Sequence, residues 1–283
     1  MTKPSALIVE GGAMRGIFAS GVLDAFLEED YRPFDMAIGV SAGSTNLVGY
    51  LAGNHGRSRR ILTEYATRRE FINPTRFLRA GHLVDVGWLW EATKNTVPLD
   101  VQRFATCGTP LLVVTTEVAT GQAHYLQATP ENMDQVFPAS CALPLVYRAF
   151  PTYNGIAMTD GGIADSIPVL EAYRRGARDM TIILSRPLGY RKKASRMPWL
   201  TASLMRRHPQ LAIAMLARAQ RYNEALAFIE RPPEDCRVRV LAPDLAFPVG
   251  RLTRDLVRLQ KGYEHGHCAA SKMLRCLKST SAA

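Results

Sequence analysis

The sequence predicts an α/β protein built on a mainly parallel sheet. Short apolar strand patterns alternate with helical patterns along most of the chain. The first two strand patterns each run into a glycine-marked turn and then a helix, as consecutive βα units do. With 283 residues, 47% of them hydrophobic, the chain can bury one large core.

In chain order, residues 6–10 form the first apolar strand pattern. The turn Glu10-Gly11-Gly12-Ala13-Met14-Arg15-Gly16 follows it, then a helix over 17–29 that gathers Ile17, Phe18, Val22, Ala25 and Phe26 on one face. A second strand over 36–40 and a helix over 42–52 flank Gly39-Val40-Ser41-Ala42-Gly43. Further strands are expected at 111–117, 123–126, 180–184 and 237–241, the pair around Ala119-Thr120-Gly121 as a hairpin. Helices are expected at 57–68, 99–106, 168–176, 210–229 and 251–277. In the helix over 210–229, the stripe Leu211, Ala214, Met215, Arg218 and Tyr222 reads as core-facing. The basic stretch 186–196, broken by Pro187 and Gly189, reads as an exposed loop near the rim of a site. There is no internal repeat.

Three segments carry chemistry. A Gly-x-Ser-x-Gly run between strand and helix makes a sharp turn that lifts the Ser41 hydroxyl off the sheet edge, where a nucleophile is useful. Serine at that position also serves as an ordinary N-cap of the following helix. The turn Gly11 to Gly16 offers several backbone N–H groups and a helix N-terminus, suited to an oxyanion or a phosphate. It fits neither a dinucleotide fingerprint, since Ala13 stands where a glycine is needed, nor a P-loop. A tight turn without ligand is the other reading. Thr159-Asp160-Gly161-Gly162 follows the short apolar run 155–158 and sets a carboxylate at a sheet edge, as a base beside a serine requires; Asp-Gly-Gly is also a common turn.

In this order, the glycine turn, the serine elbow and Asp-Gly-Gly resemble the patatin-like phospholipase family. The likeness extends over residues 5–185 and includes Ala139-Ser140-Cys141-Ala142-Leu143-Pro144 upstream of Asp160. It implies a three-layer α/β/α fold and hydrolysis of lipid acyl esters by a Ser-Asp dyad with no catalytic histidine; no metal or cofactor is expected. Carried over residue by residue, it makes Ser41 the nucleophile within the elbow glycines Gly39 and Gly43, and Asp160 the base. Gly11, Gly12, Ala13, Arg15 and Gly16 then fall on the oxyanion motif. The chain departs from the pattern at Ala13, which replaces the usual third glycine and fits if its φ is negative. Arg15 has two readings, an anion ligand or a solvated residue on a surface helix. Residues 1–185 are thus expected to form the catalytic core, and 186–283 a basic, mostly helical extension packed on the same domain.

Two rival readings remain open at this level. His265 or His267 completes a Ser-Asp-His set in α/β-hydrolase order, although only one strand pattern precedes the elbow and both histidines fall in a long helix pattern. Alternatively the fold is retained in a catalytically silent lipid- or membrane-binding protein. The five cysteines are scattered and lack Cys-x-x-Cys spacing, which argues for a reducing, cytoplasmic compartment and against a metal site. No secretory signal is read, and no run approaches the roughly 18 apolar residues of a membrane span. The net charge of +10 is uneven. Residues 1–185 hold 16 Lys+Arg against 18 Asp+Glu, a balance of −2, and residues 186–283 hold 19 against 7, a balance of +12. Such asymmetry suits peripheral contact with an anionic membrane, and no nucleic-acid motif accompanies it. The head group, acyl chain and oligomeric state are not legible.

Overall fold

The computed structural model describes residues 3–79 and 81–281. Five parallel strands form the centre of the sheet: β1 (Ser5–Val9), β2 (Met36–Val40), β3 (Leu111–Glu117), β7 (Asp179–Ile183) and β8 (Arg237–Leu241), ordered β3-β2-β1-β7-β8. Antiparallel strands β4 (Ala123–Gln127) and β6 (Ile156–Asp160) both pair with β3, and β5 (Thr152–Tyr153) pairs with β6. The expected hairpin is the β3–β4 pair.

Alternation along β1 sorts the core into two sides. Leu7 and Val9 pack in one apolar cluster with Phe18, Val22 and Phe26 of α1 (Gly16–Glu28), Leu47 and Val48 of α2 (Ala42–Leu51), and Ala270 and Leu274 of α11 (Leu256–Ser281). Ala6 and Ile8 face the other cluster with Val169 and Ala172 of α8 (Val169–Arg174) and Tyr222, Ala225 and Leu226 of α10 (Pro209–Glu230). The result is the three-layer α/β/α arrangement. The C-terminal third contributes to all three layers, since β8 extends the sheet, α10 covers one face and α11 lies on α1.

Most predicted elements are present with ends shifted by one or two residues. Four differences have physical causes. Helix α1 is not one-faced: every residue from Gly16 to Phe26 is buried, because α11 crosses its outer side. The helix expected over 57–68 is split into α3 (Arg57–Arg60) and a π-helical turn, Ile61–Tyr65, where Ala66 N–H reaches back to the Ile61 carbonyl. Helix α11 begins at Leu256, with Asp255 accepting the Arg258 N–H, so Arg251 lies in the preceding loop.

The loop 186–196 is irregular, as expected, but is not a free basic patch. Arg191 pairs with Glu230, and Lys192 is half-buried with its ammonium 4.4 Å from the centre of the Tyr222 ring. Asn223 pins this loop to α10 through both the N–H and the carbonyl of Lys192. The remaining helices are α4 (Pro74–Leu78), α5 (Val86–Thr96), α6 (Val101–Thr106), α7 (Met133–Cys141) and α9 (Pro198–Leu204). Among the described residues no helix is long and apolar enough to cross a membrane.

Candidate active site

Strand β2 ends at Val40 and α2 starts at Ala42, leaving Ser41 alone to turn the chain. It does so at φ +52° and ψ −126°, a conformation that costs a non-glycine residue about 1–3 kcal/mol. Neighbouring hydrogen bonds hold it there. Ser41 N–H donates to Ser140 Oγ at 2.9 Å, and Ser140 Oγ donates to the Val114 carbonyl at 2.7 Å. The Ser41 carbonyl accepts from Ser44 N–H at 2.9 Å and Ser44 Oγ at 2.7 Å. The Ser41 side chain does not cap α2, so the N-cap reading fails. The elbow glycines are required by close approach: a Cβ on Gly39 would lie 2.5 Å from Ser44 Cα, and one on Gly43 would lie 2.4 Å from the Val9 carbonyl.

Sheet register brings Asp160 to this serine. Strand β4 occupies one edge of β3 as far as Thr116, so β2 and β6 must share the other edge. On that edge Val40 pairs with Val114, and the next residue of β3, Thr115, pairs with Asp160. The residue after Val40 therefore meets the last residue of β6. Asp160 is 6% exposed, and its Oδ1 accepts the Gly162 N–H at 2.8 Å. Burial pushes its pKa above the ordinary carboxylate value; Arg218, the Gly162 N–H, a hydrogen bond from Ser41 and, last, Arg251 pull the other way.

The glycine turn lies beside the elbow. Among the described residues the N–H groups of Gly11, Gly12 and Ala13 have no internal acceptor, whereas Met14 N–H is taken by the Arg251 carbonyl at 3.3 Å. Ala13 has φ +50°, so the condition of a negative φ under which alanine would fit without strain is not met. The turn needs a left-handed residue there, so alanine stands under strain where glycine would not. Gly16 opens α1 against α2, its Cβ position 3.1 Å from Ala42 Cβ. Arg15 is 3% exposed, and burial lowers its pKa to about 10, so the solvated reading of this residue is also corrected.

Space at Gly12 is closed by Ser185: an added Cβ would lie 2.8 Å from Ser185 Cβ. Ser185 itself is fixed by Glu10, which accepts its N–H at 2.7 Å. Gly12→Val must therefore displace the turn, and we expect kcat on a soluble ester to fall about 10²- to 10³-fold with the fold retained, the usual cost of losing one oxyanion donor. Unchanged turnover in a folded Gly12→Val protein would show that the turn is not the oxyanion site.

Ser41, Asp160 and the glycine turn open on a cavity of about 370 Å³. Its lining is largely apolar and includes Met14, Leu62, Phe71, Val86, Leu89 and Phe137. The π-helical turn and α5 thus contribute apolar side chains to one side of the cavity. Cys141 lines the same cavity; burial pushes its thiol up to about 12, which leaves it a packing residue rather than a second nucleophile. The histidines lie elsewhere. His265 pairs with Asp244 and packs edge-on against Phe18, and His267 pairs with Glu28.

Sequence reasoning missed Ser140 as the support of Ser41, and it missed Arg218, Arg251 and Lys192 as neighbours of the site. Ser140 lies in the segment whose resemblance was noticed, so that signal was available. Arg218 stood on the stripe read as core-facing and Lys192 in the loop placed near the rim, but only tertiary packing brings them and Arg251 to this cavity.

Residues 7–173 match the family model described as Patatin-like phospholipase. The chain belongs to the patatin-like phospholipase family. Residues 208–280 match a second model, a domain of unknown function named DUF6363. This patatin-like chain is 34% identical over 270 residues to "Uncharacterized protein YjjU" of Escherichia coli (strain K12), an alignment covering 92% of this chain and 74% of that protein. Its structure resembles VipD from Legionella pneumophila with a TM-score of 0.52 at 12% identity, covering 97% of this chain and 67% of the other. That likeness is one of fold. The patatin-like match includes all nine site residues read from the sequence, Gly11, Gly12, Ala13, Arg15, Gly16, Gly39, Ser41, Gly43 and Asp160.

Proposed function

We propose that this protein is a serine acyl hydrolase that cleaves fatty-acyl esters of phospholipids or related lipids. The observation that supports it best is the convergence on one apolar cavity of a strained Ser41, the buried Asp160 and three backbone N–H groups without acceptors. Asp160 takes the Ser41 proton as the hydroxyl attacks the ester carbonyl. The N–H groups of Gly11, Gly12 and Ala13 hold the oxyanion of the tetrahedral intermediate, and the fatty chain occupies the apolar pocket. Collapse of the intermediate expels the alcohol, which takes the proton from Asp160; the carboxylate so regenerated deprotonates a water that attacks the acyl-serine, and that proton returns to Ser41 Oγ as the fatty acid leaves. Arg218 and the Gly162 N–H favour the ionised form of Asp160 and so oppose the rise in its pKa that burial causes. Peripheral contact with an anionic membrane belongs to the same proposal and rests on the +12 balance of residues 186–283.

A fluorophosphonate probe tests the nucleophile directly. Intact-protein mass spectrometry is expected to show one adduct per wild-type chain and none on Ser41→Ala. Absence of an adduct on folded wild-type protein would overturn the hydrolase assignment and favour a silent lipid-binding protein. Release of fatty acid from vesicles of phosphatidylglycerol, phosphatidylcholine and diacylglycerol, with Ser41→Ala as the blank, then orders the substrate classes.

A further inference from the structure

The cavity at Ser41 has a second, charged wall that the acyl pocket does not explain. Arg218 of α10 and Arg251 of the loop before α11 line it directly. Arg15 lies behind the glycine turn and Lys192 comes from the loop 186–196; the two interact electrostatically with each other and with Arg251, and Lys192 also with Arg218. Arg186 adds a further positive charge near Arg15.

These cations are short of partners. Among the described residues none of Arg15, Arg186, Lys192, Arg218 and Arg251 makes an ion pair. Nε and Nη1 of Arg15 and Nε of Arg218 are buried with no acceptor at all. The nearby carboxylates already have neutral donors: Glu10 accepts from Ser185 N–H and Tyr222 OH, and Asp160 from Gly162 N–H. Five cations therefore face two carboxylates in a partly dry site, an arrangement that disfavours the empty state and favours an anion. The strain shows in the groups themselves: burial and then the repulsion of Arg218 and Arg251 bring Lys192 down to about 7.

We propose that Arg218, Arg251 and Lys192, backed by Arg15, form a phosphate subsite, so that the enzyme selects acyl esters carrying a phosphate on the same glycerol over neutral esters. Guanidinium forks suit phosphate oxygens, and the subsite shares its cavity with Ser41, as one substrate bearing both groups requires. Three of the four residues come from the C-terminal third, outside the patatin-like match at 7–173, and Arg218 and Arg251 lie within the segment of unknown function. That segment then supplies head-group recognition to a hydrolytic core. The proposal rests on the hydrolase reading for its substrate.

Binding separates the two claims, because it can be measured without turnover. In Ser41→Ala protein, calorimetric titration with dihexanoyl phosphatidic acid is expected to give at least about tenfold tighter binding than dihexanoylglycerol. Arg251→Gln and Lys192→Met in that background should each remove most of the preference by weakening phosphatidic acid binding, and Arg251→Lys should restore part of it. The Arg251 carbonyl that holds Met14 N–H is retained in both Arg251 variants. Equal affinity for the two lipids, or inorganic phosphate binding as tightly as the phosphatidic acid, overturns the subsite. If the preference is found but wild-type protein hydrolyses neither lipid, the subsite stands and the hydrolase reading falls. Wild-type hydrolysis of both lipids with equal kcat/KM overturns the subsite and leaves the hydrolase.

Discussion

Ser41→Ala is expected to abolish ester hydrolysis, and Asp160→Asn to lower kcat by about 10³-fold or more, with both proteins folded. The magnitude follows from the roles: without Ser41 no acyl-enzyme forms, and a positioned general base contributes about 10² to 10⁴. Asp160→Asn keeps an oxygen to accept the Gly162 N–H, so the local turn survives. Because burial raises the pKa of Asp160 above its unfolded value, the native state holds that proton over a wider pH range than the unfolded chain. Ionising Asp160 thus costs the fold stability as pH rises from the unfolded pKa through the higher folded one. The asparagine variant escapes that cost, and its unfolding midpoint should equal or exceed wild type at neutral pH, with the advantage lost in acid. Activity runs the opposite way: kcat/KM falls as pH drops below the raised pKa of Asp160, since only the ionised form accepts a proton. His265→Ala and His267→Ala should retain wild-type turnover, as their rings contact Asp244, Glu28 and Phe18 rather than the cavity. Loss of activity in either, with the fold retained, would transfer the case to a Ser-Asp-His triad.

What the sequence made legible was local. The turns at Gly11 and Ser41 each stand between a short continuous apolar run and a helical pattern, so strand, turn and helix announced one another. Helix α7 went unread because Pro138 interrupts its pattern, and α5 because its start depends on Asp85 accepting the Trp88 N–H rather than on a strong apolar stripe. The meeting of Ser41 with Asp160 rested on resemblance until the register of β3 supplied the geometry. Features set by distant parts of the chain left no trace in their own neighbourhood. The left-handed Ala13 is one, in a turn whose next N–H is held by Arg251, more than two hundred residues further on. Lys192 is another: in the sequence it belongs to a polar, basic loop, and only Asn223 and Tyr222 of α10 turn it inward.

Gly266→Ala and Gly21→Ala should each destabilise the protein by about 3 kcal/mol, the upper end of the usual overpacking cost, lowering the unfolding midpoint by roughly 6–12 °C. Alanine in a helix interior ordinarily stabilises relative to glycine by about 1 kcal/mol, so the sign itself is diagnostic. It reverses because α1 and α11 touch backbone to backbone. A Cβ on Gly266 would lie 2.0 Å from the Phe18 carbonyl oxygen, and one on Gly21 would lie 2.1 Å from that of Tyr263. Neither obstacle is the end of a flexible side chain. Relief requires the helices to part, which loosens Ala270 and Leu274 from Phe18 and Val22 along the seam. Because one separation relieves both clashes, the double variant should cost clearly less than the sum of the two single variants. Additive losses would mean two independent local distortions, and a wild-type midpoint in either single variant would mean that the seam is not closed in solution. The same displacement should reach the active site. The loop leading into α11 carries the Arg251 carbonyl that holds Met14 N–H, so turnover at a temperature well below unfolding should fall in Gly266→Ala although the substitution lies outside the cavity.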